Sequence, residues 1–285
     1  MKTSNKLLIG LALTLLIVPL TVMILIAKAN RIDDKTYNKM LMGAENINSD
    51  LDRFIKKYPV KAFHNVVING SESSFLNIKI IASDKFLFKA TKGIAPDIDY
   101  KIDNDGKLHI SLKERSKYQY GTLLIFSPNL NSITFNNVSI DELSANQESL
   151  NVEIVKGINF RFGAGLKIKD LNLLKQTLDK QQNVIIPNIM IEDAEINNLK
   201  VNINTGHLTV NNTTIGNLNL NLKNANAEFQ NEENKNVAPI DSLILNSMGK
   251  NEVNFQHIKI KNAKGMLSDE TTIQIPMVNL KQIIK

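Results

Sequence analysis

The chain has no cysteine and no tryptophan among its 285 residues, and only 6% of them are aromatic. Without cysteine there is no disulfide framework, thiolate zinc site, cysteine nucleophile or cysteine-linked lipid anchor. Glycine and proline are also few, at 13 and 7, which excludes a collagen-like chain. Cationic side chains exceed anionic ones only modestly, 34 to 28, for a formal net charge of +6. Asparagine is abundant instead, with 38 copies, a composition suited to a fold with many polar turns. The length alone allows one or two domains.

Hydropathy is concentrated at the amino terminus. Leu7 to Ala27 is a run of twenty-one residues without a charge, and at helical rise it spans about 30 Å, the thickness of a hydrocarbon core. Pro19 lies inside it and predicts a bend, which membrane helices tolerate because neighbouring groups satisfy the freed carbonyl. The rival reading is a cleaved signal peptide, since Ala27-Lys28-Ala29 has a small-x-small form. The apolar run is longer than a signal peptide needs, so a retained anchor is expected. Lys2 and Lys6 precede the run while Lys28, Arg31, Lys35 and Lys39 follow it, so charge does not decide orientation. A very short leading tail before a long remainder favours an extracytoplasmic carboxy-terminal part, in the periplasm or at the cell surface. Residues 30–60 mix charges with Tyr37, Met40, Leu41, Leu51, Phe54 and Ile55 at loosely helical spacing, predicting a linker with one or two short helices closed by Pro59.

From Phe63 the pattern changes to short alternating runs, Val66-Val67-Ile68, Leu76 to Ile80, Phe86-Leu87-Phe88 and Leu108 to Leu112, which predict strands. Asn104-Asp105-Gly106 supplies a tight hairpin turn. The same acidic stretch is no calcium loop, because Lys101 and Leu112 occupy its first and twelfth ligand positions.

Beyond Pro128 the strands repeat. The units are ITFNNVSIDELS from Ile133, IMIEDAEINNLKV from Ile189, LTVNNTTIGNLNL from Leu208 and VNFQHIKIKNAKG from Val253. Each has an apolar-x-apolar triplet, two mostly polar residues, a variable pair and an apolar residue at Ile140, Ile196, Ile215 or Ile260. Leu143, Leu199, Leu218 and Ala263 follow three positions later. Ala227 to Asn231 and Leu166 to Asp170 begin the same way, and the starts at 189, 208 and 227 are nineteen residues apart. That period suits a β-solenoid whose coils pair in register, with Ile189, Leu208 and Ala227 on one inner ladder and Ile196 and Ile215 on another. Asn136-Asn137 and Asn211-Asn212 fall at corners, where asparagine tolerates left-handed backbone. Asp170 to Gln182 is expected to be a short helical excursion, Asn231 to Ala238 a loop, and Thr272 to Ile284 a last strand and a cap.

The span from Ala62 to Leu143 resembles the head GIN domain of an auto-transporter adhesin family from envelopes of Bacteroidetes-type bacteria. The matching features are AFHNVVINGSESSFLNIKIIASDKFLFKA, DYKIDNDGKLHISLKE and GTLLIFSPNLNSITFNNVSIDEL, with Phe63, Gly106, Leu108, Ile110, Pro128 and Leu130 in the family's places. The family is glycine- and serine-rich where this chain has Asn136-Asn137. The resemblance implies a β-solenoid envelope protein and brings no catalytic residues.

Chemistry-bearing motifs are scarce. His64, His109, His207 and His257 lack partners at metal-ligand spacing, and no serine elbow, Walker loop or dinucleotide fingerprint is present. Asp141-Glu142 and Glu192-Asp193 are the carboxylate pairs that a β-helix glycosidase or lyase would need, but they occupy different template positions. Lysines are dispersed and not interleaved with aromatics, which argues against nucleic acid.

The expected molecule is therefore all-β, a parallel, right-handed β-helix-like solenoid preceded by one transmembrane helix. Its parts would be an anchor at 1–28, a linker at 29–60 and a solenoid at 61–285, with a hairpin-rich entry at 61–128 and repeating coils at 129–285. The expected function is non-enzymatic binding or structural support at the envelope, without a cofactor. Asn202, Asn204, Thr209, Asn211, Asn219 and Asn221 form the candidate face for a glycan or an envelope protein. A carbohydrate-active enzyme on the same scaffold is the alternative, and a lipid-handling component a third reading.

Overall fold

The computed structural model describes residues 3–30, 34–49, 54–115, 117–175, 186–232, 234–235 and 237–275. Its contacts divide the chain into two units, Met1–Ser49 and Asp50–Lys285.

The first unit is helical. Helix α1, Thr3–Asn30, runs through Pro19, and α2 covers Asp34–Ala44. Thr14 and Thr21 fold their hydroxyls back onto the carbonyls of Gly10 and Ile17 at 2.9 and 2.8 Å, so neither donor is left unpaired in an apolar stretch. Thr3–Ile26 is long and apolar enough to cross a membrane, a test that a signal sequence also passes.

The second unit is mostly β. Among the described residues seventeen strands join one mixed sheet that does not close. They are β1 (Ile55–Pro59), β2 (Asn65–Asn69), β3 (Ser74–Ala82), β4 (Leu87–Thr91), β5 (Ile98–Ile102), β6 (Lys107–Leu112), β7 (Gln119–Ser127), β8 (Ser132–Asn136) and β9 (Ser139–Lys156). The remainder are β10 (Asn159–Lys175), β11 (Asn188–Glu192), β12 (Glu195–Asn211), β13 (Thr214–Gln230), β14 (Ile240–Met248), β15 (Asn251–Gln256), β16 (Ile260–Met266) and β17 (Thr271–Gln274).

The sheet is mixed, with antiparallel pairs in the entry, where hairpins were expected, and one that draws in residues 55–59. β1–β4, β4–β7 and β5–β6 are antiparallel. Two of these strands follow from local turn chemistry: Asp103 accepts the amides of Asp105 and Lys107 at 3.0 and 2.9 Å, and Gly106 takes φ 71°, which folds β5 back on β6. Residues 55–59 are strand β1 and not helical linker, because Ile55 and Tyr58 are buried and Tyr58 stacks on Phe88 of the paired strand at 4.5 Å.

From β8 onward every pairing is parallel. Ile189 lies opposite Leu208, Leu208 opposite Ala227, and Ile196 opposite Ile215, with all five side chains buried. The row extends backwards through Phe160 and Ile140 and forwards to Val253. Full burial of each such side chain contributes about 1.5–3 kcal/mol. Phe229 and Phe255 stack at 4.9 Å in a neighbouring row.

The template's fifth residue has one conformation in the four units that start at Ile133, Ile189, Leu208 and Val253. Asn137, Asp193, Asn212 and His257 have φ of 55°, 49°, 49° and 56°. Asparagine and aspartate bear positive φ at low cost, which explains the polar pair at this corner. A second positive-φ position falls at Thr205, Asn224 and Gly249, with φ of 62°, 50° and 69°.

The expected helical excursion after Asp170 is absent as far as Lys175, where Leu171–Lys175 continue β10 by pairing with β9 and β12. Its remainder, and the cap expected beyond Ile275, lie outside the described residues. The described residues between Asn231 and Pro239 carry no strand, and β17 supplies the last one.

Candidate functional site

Alternation puts every second residue of a strand on the outer side, but the units break alternation at one place. Ile196 and Leu199 are both buried, as are Ile215 and Leu218, so the two residues between them both face out. The extra outward residue recurs in register: Ser149, Asp170, Asn198, Asn217 and Ser242 form one row across five strands. Two positions on, Asn151, Asn172, Lys200, Asn219 and Ile244 form a second. Both rows line a groove of about 340 Å³.

Amide ladders hold the walls. Asn198 donates to Asp170 Oδ1 at 2.6 Å, Asn217 to Asn198 Oδ1 at 2.8 Å, and Asn172 to Asn151 Oδ1 at 3.1 Å. Beside the groove, Asn221 Nδ2 donates to Asn202 at 2.9 Å and Asn219 at 3.1 Å, and its Oδ1 accepts from Asn246 at 2.8 Å. Each rung uses only part of an amide's capacity, leaving donors and acceptors for a ligand. Asn172 Oδ1 is buried and has no hydrogen-bond partner among the described residues.

The six residues expected to form one face are divided. Asn219 lines the groove, and Asn202 and Asn221 belong to the adjoining ladder. Asn204 is exposed on the same strand. Thr209 and Asn211 lie beyond the positive-φ residue Thr205; Thr209 is buried at 8% exposure, and Asn211 donates to Glu192 at 3.3 Å. Asn211 lines a different polar groove of about 450 Å³, shared with Glu192, Asn212, Gln230, Glu232 and His257. Sequence reasoning missed Asn151, Asp170, Asn172, Asn198, Lys200 and Asn217. The signal was present in the three-residue spacing of Ile196 to Leu199 and Ile215 to Leu218, which turns two residues outward instead of one.

Both carboxylates of the Glu192-Asp193 pair meet cationic side chains. Arg161 pairs with Glu192 at 2.8 Å, while burial pushes the Asp141 carboxyl above its ordinary value, an effect the Arg161 charge only partly offsets. Asp193 is ion-paired with Lys235. His109 Nε2–H donates to Asp103 Oδ2 at 2.8 Å, and this bond, with the turn amides, holds the Asp103 carboxyl below its ordinary value. No group of three or more metal-ligating side chains occurs among the described residues.

No family model matches the chain, the head GIN domain included, and no curated protein matches it. Solved structures do. A "putative adhesin" from Bacteroides fragilis is similar at 15% identity over 78% of this chain and 96% of its own, with a TM-score of 0.49. One from Parabacteroides distasonis is similar at 12% identity over the same shares, with a TM-score of 0.48. A "putative lipid binding protein" from Parabacteroides distasonis is similar at 14% identity over 77% and 96%, with a TM-score of 0.43. Likeness at this level transfers neither a ligand nor a site residue.

Proposed function

We propose that this chain is a non-enzymatic binding protein of the cell envelope, held to the membrane by residues 1–28, whose outward β domain presents the amide groove to a polar ligand, a glycan or an envelope protein. The observation that carries the reading is the pair of register-aligned rows, nine polar residues and Ile244 drawn from five parallel strands. Sites carried on paired strands hold their geometry better than sites on loops, so little ordering cost remains when a ligand binds. β12 and β13 are parallel although only two residues join them. Parallel neighbours require a long return path. This supports a solenoid in which each seventeen-residue strand turns at its own positive-φ residue to make that path. Engagement of Glu192 by Arg161 and of Asp193 by Lys235 supports binding over glycoside cleavage, which needs one protonated and one ionised carboxyl facing a shared bond.

The test is capture from intact envelopes by the full chain and by a variant carrying Asn172→Ala, Lys200→Ala and Asn219→Ala together. Expected is a specific glycan or protein retained by the parent and lost by the variant at unchanged far-ultraviolet circular dichroism. Equal capture by both refutes the groove as the binding surface.

A further inference from the structure

In a chain with so few aromatics, three of them are gathered at one outer position. Tyr118 and Tyr120 are 70% and 63% exposed. Tyr120 stacks on Phe75 of the paired strand, with ring centroids 5.2 Å apart and planes 20° apart. Tyr118 meets the edge of Phe75 at 5.7 Å.

A buried polar relay lies between the two tyrosines. Gln119, 5% exposed, receives Ser74 Oγ at 3.1 Å on its amide oxygen and donates to Asp97 Oδ2 at 3.0 Å. Asp97 is closed by Arg115 at 2.6 Å, and the Gln119 amide donates to the Ser73 carbonyl at 2.8 Å. Burying such groups is costly unless all are satisfied, and a satisfied network fixes its backbone. Here the fixed residue is the one flanked by both exposed rings, so the platform is set before any ligand arrives.

The platform opens onto a polar row. Phe75 is in register with the buried Ser139, whose hydroxyl accepts the backbone N–H of exposed Asn159 at 3.5 Å. Asn159 then pairs with Asn188, Asn188 with His207 and His207 with Asn226. Asn159 and Asn226 are exposed and His207 is half-buried, so these side chains are the outward part of the row. The steps along this row are strand spacings of about 4.8 Å, close to the advance of one pyranose unit along a linear glycan.

We propose that Phe75, Tyr118 and Tyr120 form a stacking platform for a linear pyranose glycan, with the following amide row meeting its hydroxyls. The negative face of an aromatic ring attracts the polarised C–H face of a sugar, and tyrosine adds a hydroxyl at the rim. Rigid two-torsion side chains lose little entropy on binding. Among the described residues no exposed leucine, isoleucine or methionine neighbours the three rings in sequence, as an acyl chain or a protein core would require. The platform uses none of the groove residues, so it stands or falls apart from the function proposed above.

The test is titration calorimetry of the full chain in a sugar-free detergent, with linear β-1,4-linked hexasaccharides of glucose and of N-acetylglucosamine as probes. Saturable binding to at least one is expected. Tyr120→Ala weakens it by about 3- to 10-fold and Tyr118→Ala, Tyr120→Ala together by more, while Tyr120→Phe, which keeps the ring, stays within about 2-fold. Gln119→Leu, with both rings intact but unpinned, also weakens it. Three results overturn the proposal: no saturable binding to either probe, undiminished binding by the double variant, or equal Tyr120-dependent heat from glycerophosphocholine headgroup. If the double variant binds normally while the groove triple variant does not, the platform fails and the groove stands.

Discussion

Thr205 is a β-branched residue at φ 62°, in a row where the next units place Asn224 and Gly249. The register fixes the equivalence, since Asn204 and Gly206 pair with Lys223 and Ala225 on either side of Asn224. Left-handed backbone costs an ordinary L-residue about 1–2 kcal/mol, and asparagine bears it more cheaply. Thr205→Asn therefore stabilises the β unit by about 1 kcal/mol. Thr205→Gly relieves the same strain but loses about 0.5–1 kcal/mol to the freer unfolded chain, so it falls between threonine and asparagine. The reciprocal change, Asn224→Thr, costs about 1 kcal/mol. Urea unfolding of the full chain followed by far-ultraviolet circular dichroism reads these differences as midpoint shifts of about 0.3–1 M. The order of stability should be Thr205→Asn, Thr205→Gly, parent, Asn224→Thr. A Thr205→Asn variant that unfolds at lower urea than the parent refutes the claim that this corner is strained.

Leu220 is fully buried between Val201 and Leu245 on the paired strands and lies between Asn219 of the groove and Asn221 of the ladder. Leu220→Ala should lose about 3–4 kcal/mol in the same assay, from lost transfer energy and an uncollapsed cavity. Burial raises the Asp141 carboxyl above its ordinary 3.8, so the folded chain keeps that proton at pH values where the unfolded chain has lost it. Its contribution is complete below pH 3.8 and lost as pH rises through the raised value, so Asp141→Asn should flatten that decline and unfold at higher urea at pH 7. Lys175 has the opposite sign: buried and bonded to the Val155 carbonyl at 2.9 Å, its ammonium is held below its ordinary 10.5 by desolvation. Stability should rise with pH between that lowered value and 10.5, and Lys175→Met should remove the rise in a series of urea midpoints.

The strand periods were legible because their cause is local. An apolar residue every second position buries one side of a strand whatever its neighbours are, so Ile189, Leu208 and Ala227 could be aligned from spacing alone. The corner asparagines were legible for a similar reason, since positive φ restricts residue type at that residue itself. The β5–β6 hairpin was legible from Asn104-Asp105-Gly106, but the β1–β4 pairing was not, because it depends on Tyr58 meeting Phe88, thirty positions away.

Composition and order along the chain therefore determined the class of structure, the apolar amino-terminal helix and which side of each strand is buried. They did not determine where the outward residues gather. Asn172, Lys200 and Asn219 share a groove, and Thr209 is withdrawn from it, because strand register and a single positive-φ residue at Thr205 set which distant positions become neighbours. Those are properties of pairing between segments, and no single segment carries them.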